Sequence, residues 1–182
     1  MNYVIVDLEA TCWEGRDSSK NEIIEIGAVL VNGQRRILAE FGQFVKPLMN
    51  PVLSDFCKTL ISIRQDQVDH APFFYEAQAN FRQWMEEYGA EYVLCSWGYY
   101  DKLQFEQDCR LHGIDTGWLN RHISLKHQYA GIKRLRRAIG MKNALASEGM
   151  ELAGTHHRGI DDARNITALF LKYFDQWQFP AR

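Results

Sequence analysis

Asp7 and Glu9 stand two residues apart at the end of a run of β-formers, Tyr3-Val4-Ile5-Val6. In an extended strand that spacing puts both side chains on one face. Two anions held side by side call for a counter-charge, and a hard divalent cation, Mg²⁺ or Mn²⁺, prefers such oxygen ligands. The plainer reading is a pair of solvated acids at a strand end. Asp101 follows Leu94-Cys95-Ser96-Trp97-Gly98-Tyr99-Tyr100 and opens a helical stretch in which Phe105 and Cys109 share its stripe. Taken singly, it is an ordinary first-turn acid favoured by the helix dipole. The third place is His156-His157-Arg158-Gly159-Ile160-Asp161-Asp162. A His followed after five residues by an Asp sets a neutral base near another metal ligand. A lone His157 reads instead as a loop histidine with a hydrogen-bond partner, and it is the three places together that suggest metal-assisted proton transfer.

The elements that must position these groups follow from hydrophobic period. Tyr3 to Val6 reads as a buried strand, and the polar stretch from Glu14 to Asn21 interrupts it. Ile23 to Val31 and about Arg35 to Val45 read as strands joined at Asn32-Gly33, a hairpin signal for a type I′ turn. A short helix is expected from Asp55 with Ser54 as its cap, then a longer one near 74–88, and Tyr92 to Cys95 as a fourth strand. Helices at about 101–112 and 132–140, a short strand near 121–125 and a final helix near 160–177 complete the order. This predicts an α/β fold, a mixed β-sheet flanked by α-helices, in one domain over residues 1–182. Spacing does not choose between His156–Asp161 and His157–Asp162, but the last helix does. Asp162 shares a stripe with Ile166, Leu169 and Tyr173, expected on the sheet, and Asp161 with Asn165, Ala168 and Lys172, expected in water.

Bulk properties exclude several classes. The chain has 182 residues, 46% of them hydrophobic, enough for one sizeable core. Cys12, Cys57, Cys95 and Cys109 lie far apart, so neither a disulfide framework nor a zinc site is indicated. The first residues lack a basic n-region and no stretch reaches ~18–20 apolar residues, so a cytoplasmic location and no membrane association are expected. A formal net charge of −2 argues against a general nucleic-acid coat protein and leaves room for a short footprint at a chain end.

Five segments carry a family resemblance: Val6-Asp7-Leu8-Glu9-Ala10-Thr11-Cys12, Glu25-Ile26-Gly27-Ala28-Val29, Leu53-Ser54-Asp55-Phe56-Cys57, Gln65-Asp66-Gln67-Val68-Asp69, and Gly159-Ile160-Asp161-Asp162-Ala163-Arg164-Asn165-Ile166. Over about residues 3–175 the sequence resembles the DEDDh 3′→5′ exonucleases, DnaQ-like proteins on the ribonuclease-H-like fold, and within them the branch of the histone-mRNA 3′ exonuclease and the KapD-like proteins. The resemblance implies that Asp7, Glu9, Asp101 and Asp162 bind two Mg²⁺ ions, with Mn²⁺ as the substitute, and that His157 is the general base. It further implies that Phe56 and Tyr100 stack on the terminal base, and that backbone groups near Leu8 and Ala10 meet the terminal ribose. Ile61-Ser62-Ile63 departs from the Thr-Gly-Ile common in relatives.

Such a set suits phosphodiester hydrolysis, in which two metal ions about 3.5–4 Å apart serve attack, charge neutralisation and departure of the 3′ oxyanion. Four carboxylates balance two divalent charges. The expected partner is a nucleic acid with a free 3′ end, RNA ahead of single-stranded DNA, and the product a nucleoside 5′-monophosphate. The alternatives are a single-stranded DNA 3′ exonuclease and a non-catalytic binding protein on the same fold. Trp13, Trp97 and Tyr99 read as core, and Lys133, Arg134, Arg136 and Arg137 as either a phosphate track or a solvated face. Nothing in the sequence indicates the oligomeric state.

Overall fold

The computed structural model describes residues 1–15 and 18–180. Its centre is a five-stranded sheet in the order β3-β2-β1-β4-β5. β1 (Asn2–Ala10), β2 (Ile23–Asn32) and β3 (Ile37–Phe44) form an antiparallel meander, and β4 (Tyr92–Ser96) and β5 (His122–Ser124) add on in parallel. The helices are α1 (Asp55–Leu60), α2 (Gln65–Asp69), α3 (Phe74–Glu87), α4 (Tyr100–Leu111), α5 (Leu125–Ile132), α6 (Met141–Ser147) and α7 (Gly159–Lys172). Among the described residues no helix is long and apolar enough to cross a membrane.

Alternation along β1 and β2 builds two cores. Tyr3, Ile5, Val29 and Val31 pack against α7 through Ala163, Ile166, Leu169 and Phe170. Val4, Val6, Leu8, Ile26, Ala28 and Leu30 pack on the other face against Phe74, Phe81 and Phe105 of α3 and α4. Because side chains alternate, Asp7 and Glu9 continue the Tyr3/Ile5 face and look toward α7.

The structure corrects three local readings. The β2–β3 hairpin is present, but the left-handed residue is Arg35 (φ 64°), not Gly33. The Arg35 N–H donates to the Asn32 carbonyl at 2.9 Å, and Asn32 Oδ1 accepts from the N–H groups of Gln34 and Arg36, giving a longer loop than a type I′ turn. The helix expected over 132–140 is absent: α5 ends at Ile132, and turn and loop follow up to α6 at Met141. Arg134 takes a left-handed conformation (φ 52°) and the Leu135 N–H reaches back to the Ala130 carbonyl at 2.8 Å, a closure that glycine usually supplies. α2 was not expected, since five residues hold little more than one helical period. The last helix begins as read and ends at Lys172, with a short 3₁₀ turn after it.

Candidate active site

β1 and β4 pair from Asn2–Tyr92 to Ile5–Cys95 and then part. Past that point the β1 edge needs a new partner, and α4 supplies it. The Leu8 N–H donates to Asp101 Oδ1 at 3.1 Å, which ties the first turn of α4 to the strand carrying Asp7 and Glu9. The crevice opens at the carboxyl ends of two parallel strands, the usual ligand-binding end of an α/β sheet.

The fourth acid arrives on α7, which reaches β2 backbone to backbone. Gly27 lies opposite Asp7 in the sheet, and a Cβ built on it would sit 2.0 Å from the Gly159 carbonyl carbon. Glu25, opposite Glu9 and 2% exposed, accepts the Gly159 N–H at 2.9 Å and faces the Arg158 guanidinium at 3.2 Å. A buried carboxylate at the first N–H groups of a helix is favoured by the helix dipole. Gly27 leaves the space and Glu25 holds the helix end, and together they fix where Asp162 stands. Their roles were not read from the sequence, although both lie in a quoted segment.

Asp7, Leu8, Glu9, Tyr100, Asp101, His157 and Asp162 line one cleft of about 350 Å³, with Trp97, Gly98, Lys126, Met141 and His156. Ligand atoms of Asp7, Glu9 and Asp162 lie within 4.8 Å of one another. Among the described residues no hydrogen bond is donated to the carboxylates of Asp7 or Glu9. Ala10 and Phe56 do not line this cleft. Ala10 is buried at the end of β1, and Phe56 is exposed on α1 beside Cys57, whose thiol lies 3.8 Å from the Ala10 carbonyl. Trp97 belongs to the core, as read, while Tyr99 is exposed.

Crowding sets the electrostatics. Burial, then Asp162, Glu25 and Asp101, push Glu9 up to about 8 against the partial relief of Arg158. Burial pushes Asp101 up to about 6 although the Leu8 N–H favours its anion. Asp7 is raised well above its ordinary value by burial and by Asp101, Glu9, Asp162 and Glu25. His157 moves the other way, held below the usual imidazole range by burial and by His156. It is therefore a neutral base at pH 7.

Asp162 is 4% exposed, and its Oδ2 accepts the His157 N–H at 3.0 Å. His156, which the sequence offered only as the spacing alternative to His157, places Nδ1 2.9 Å from Oδ2 and 3.1 Å from Oδ1 of the same carboxylate. Asp161 stands outside the cleft. It accepts the Thr155 N–H at 2.9 Å and pairs with Arg164 at 2.8 Å. One member of its expected water-facing stripe is buried, because Asn165 hydrogen-bonds Ala153 through both its amide atoms. Of the basic cluster, Lys133 pairs with the half-buried Glu148 at 2.9 Å, and Arg134, Arg136 and Arg137 are exposed without an ion pair among the described residues.

Comparison with known proteins points to one family. The profile of the family described as Exonuclease (RNase_T) matches residues 4–170. ERI1 exoribonuclease 2 of Danio rerio is 32% identical over 191 residues, covering 91% of this chain and 34% of that protein. The 3′-5′ exonuclease Snipper of Drosophila melanogaster is 32% identical over 194 residues, covering 94% of this chain and 69% of that protein. The chain thus spans about a third of the length of the first relative and about two thirds of the second. The crystallographic nuclease domain of 3′hExo, a DEDDh family member bound to rAMP, superposes with a TM-score of 0.92 at 29% identity, covering 100% of this chain and 96% of that one. Its mixed sheet flanked by helices is the ribonuclease-H-like exonuclease fold expected above.

Proposed function

Because the chain belongs to the exonuclease family, we propose that it is a metal-dependent 3′→5′ exoribonuclease releasing nucleoside 5′-monophosphates. The observation that carries the reading is the meeting of Asp7, Glu9 and Asp162 ligand atoms within 4.8 Å, beside Asp101, which α4 brings to the Leu8 N–H of the same strand. RNA is favoured over DNA because relatives are named exoribonucleases and the 3′hExo domain was crystallised with rAMP.

The donor set fits Mg²⁺. It consists of carboxylate oxygens, the ligands a hard cation prefers, and the carboxylates of Asp7 and Glu9 accept no hydrogen bond from the described residues. Mg²⁺ bound there would acidify the attacking water and offset charge on the phosphoryl group. Asp7, Glu9, Asp101 and Asp162 would hold it. His157, neutral and facing the cleft, accepts the proton of the attacking water. The exposed Tyr100 lies at the cleft wall, where a terminal base can stack on it for about 1–3 kcal/mol. Phe56 is placed to act from α1 only if the nucleotide extends beyond the cleft.

Linear RNA labelled at its 5′ end and the same RNA circularised with an internal label, digested with Mg²⁺ beside linear DNA of the same sequence, test this. Linear RNA should shorten from its 3′ end to 5′-monophosphates while the circle survives. Cleavage of the circle would remove the exonuclease reading, and faster loss of DNA would remove the ribose preference.

The raised carboxylates give a second expected result. A carboxyl group whose folded pKa lies above its unfolded value stabilises the fold fully at low pH, and that contribution is lost as pH rises through the folded value. With Asp101 raised to about 6 and Glu9 to about 8 from their ordinary values near 4, the metal-free protein should lose melting temperature between about pH 4 and 8. Saturating Mg²⁺, which needs the ionised forms, should flatten that decline. Calorimetric scans across this range with chelator or with Mg²⁺ decide it, and parallel curves would mean that these carboxylates do not bind the ion.

A further inference from the structure

We propose that His156, His157 and Asp162 form a second, nitrogen-rich cation site that takes Zn²⁺ and silences the cleft. The silencing rests on the nuclease reading above; the site does not. Ligand atoms of the three residues lie within 4.8 Å of one another. The two imidazoles stack with centroids 4.0 Å apart and planes 23° apart. Consecutive residues of an extended chain point to opposite sides, so this pairing needs a special backbone. His157 provides it with a left-handed conformation (φ 63°), uncommon for a residue with a Cβ, and Asp162 holds it by accepting the His157 N–H at 3.0 Å.

Asp162 therefore belongs to two overlapping donor sets. With Asp7 and Glu9 it offers only oxygen, which suits Mg²⁺; with the two histidines it offers two nitrogens and an oxygen, which suits Zn²⁺ and is poor for Mg²⁺. His156 already spans both oxygens of Asp162, at 2.9 and 3.1 Å. A hard ion claiming that carboxylate has to displace the imidazole contact. A borderline ion instead converts His156 into a ligand, the ring proton moving to the other nitrogen. Zn²⁺ at this place also engages the lone pair with which His157 accepts a proton, so excess Mg²⁺ does not restore the base.

Calorimetric titration of Zn²⁺ into protein already saturated with Mg²⁺ tests the site without substrate. Wild type should bind one Zn²⁺, and His156→Asn should weaken that step at least ~10-fold, the lower bound for disturbing even an indirect metal contact. Co²⁺ as a coloured probe should show visible absorption of a nitrogen-ligated ion in wild type that fades in the variant. His156→Gln is the second variant, and whichever of the two retains the wild-type circular dichroism decides. RNA turnover by wild type at saturating Mg²⁺ should fall with Zn²⁺ and stay low when Mg²⁺ is raised. Equal Zn²⁺ affinity in wild type and variant, or Zn²⁺ fully displaced by Mg²⁺, would overturn the proposal. A protein that binds Zn²⁺ through His156 yet shows no turnover without it would leave the site standing and remove the nuclease reading alone.

Discussion

Asp162→Asn should abolish turnover at unchanged fold, while its neighbour Asp161→Asn should keep most activity and lose a little stability. The two acids are adjacent, and each stands five residues after a histidine, so composition does not separate them. Their surroundings do. Asp162 is on the buried face of α7 with ligand atoms within 4.8 Å of those of Asp7 and Glu9. Loss of groups that merely support a ligand costs about 10–100-fold in metal affinity or activity, so a direct ligand should cost more than that. Asn keeps the shape and an acceptor for the His157 N–H, so the fold should survive.

Asp161 holds the turn before the helix instead. Its carboxylate accepts the Thr155 N–H and meets Arg164, and Gly154 packs against it so closely that a Cβ there would lie 2.5 Å from its Cγ. Asn can keep the Thr155 bond but not the ion pair, which is partly solvated and worth about 0–1 kcal/mol, nor its charge at the helix start, worth about 0.3–1 kcal/mol. A loss near 1 kcal/mol corresponds to about 2–4 °C in melting temperature at this chain length. Turnover and thermal scans of both variants settle it. Equal loss of activity in both would place Asp161 in the metal site, and an active Asp162→Asn would remove it from there.

What the sequence made legible was what depends on short spacing. Asp7 and Glu9 share a face because strands alternate, and Asp162 rather than Asp161 joins the core stripe because helices repeat every 3.6 residues. The meander, the fourth strand and the long helices follow from the same periods. The missed features are those in which one residue takes over another's usual conformation. Arg134 closes α5 in a left-handed turn that carries no glycine to announce it, and Arg35 does the same in the hairpin. His156 looked idle because its seat on Asp162 depends on the backbone of His157. Glu25 read as a strand residue because its partners, Arg158 and Gly159, lie at the far end of the chain, and no local period reports such a contact.

Gly27→Ala should either unfold the protein or leave it folded and more than 100-fold less active, whereas Gly42→Ala, beside it in the sheet, should do neither. The two glycines are directly paired between β2 and β3, so strand propensity and exposure of the unfolded chain are closely matched. Their surroundings differ. The added Cβ at Gly27 would lie 2.0 Å from the Gly159 carbonyl carbon and 2.1 Å from the Ile160 nitrogen, both backbone atoms that have no rotamer to change. At Gly42 the nearest atom is the Ile160 Cβ at 3.6 Å, an ordinary contact. Relief at Gly27 therefore requires α7 to lift by more than 1 Å relative to the sheet, against the packing of Ala163, Ile166, Leu169 and Phe170. Overpacking of this kind costs about 1–3 kcal/mol and more where backbone blocks relaxation. A lift that the core tolerates still carries Asp162 away from Asp7 and Glu9, and a misplacement of about 1 Å is enough for a 100-fold loss. Gly42→Ala restricts the unfolded chain without strain, a change of about 0.4–1 kcal/mol in favour of the fold. Parallel measurement of circular dichroism, melting temperature, Mg²⁺ affinity and turnover separates the two outcomes. A Gly27→Ala protein with wild-type stability and turnover would show that α7 does not owe its position, or the site its geometry, to this contact.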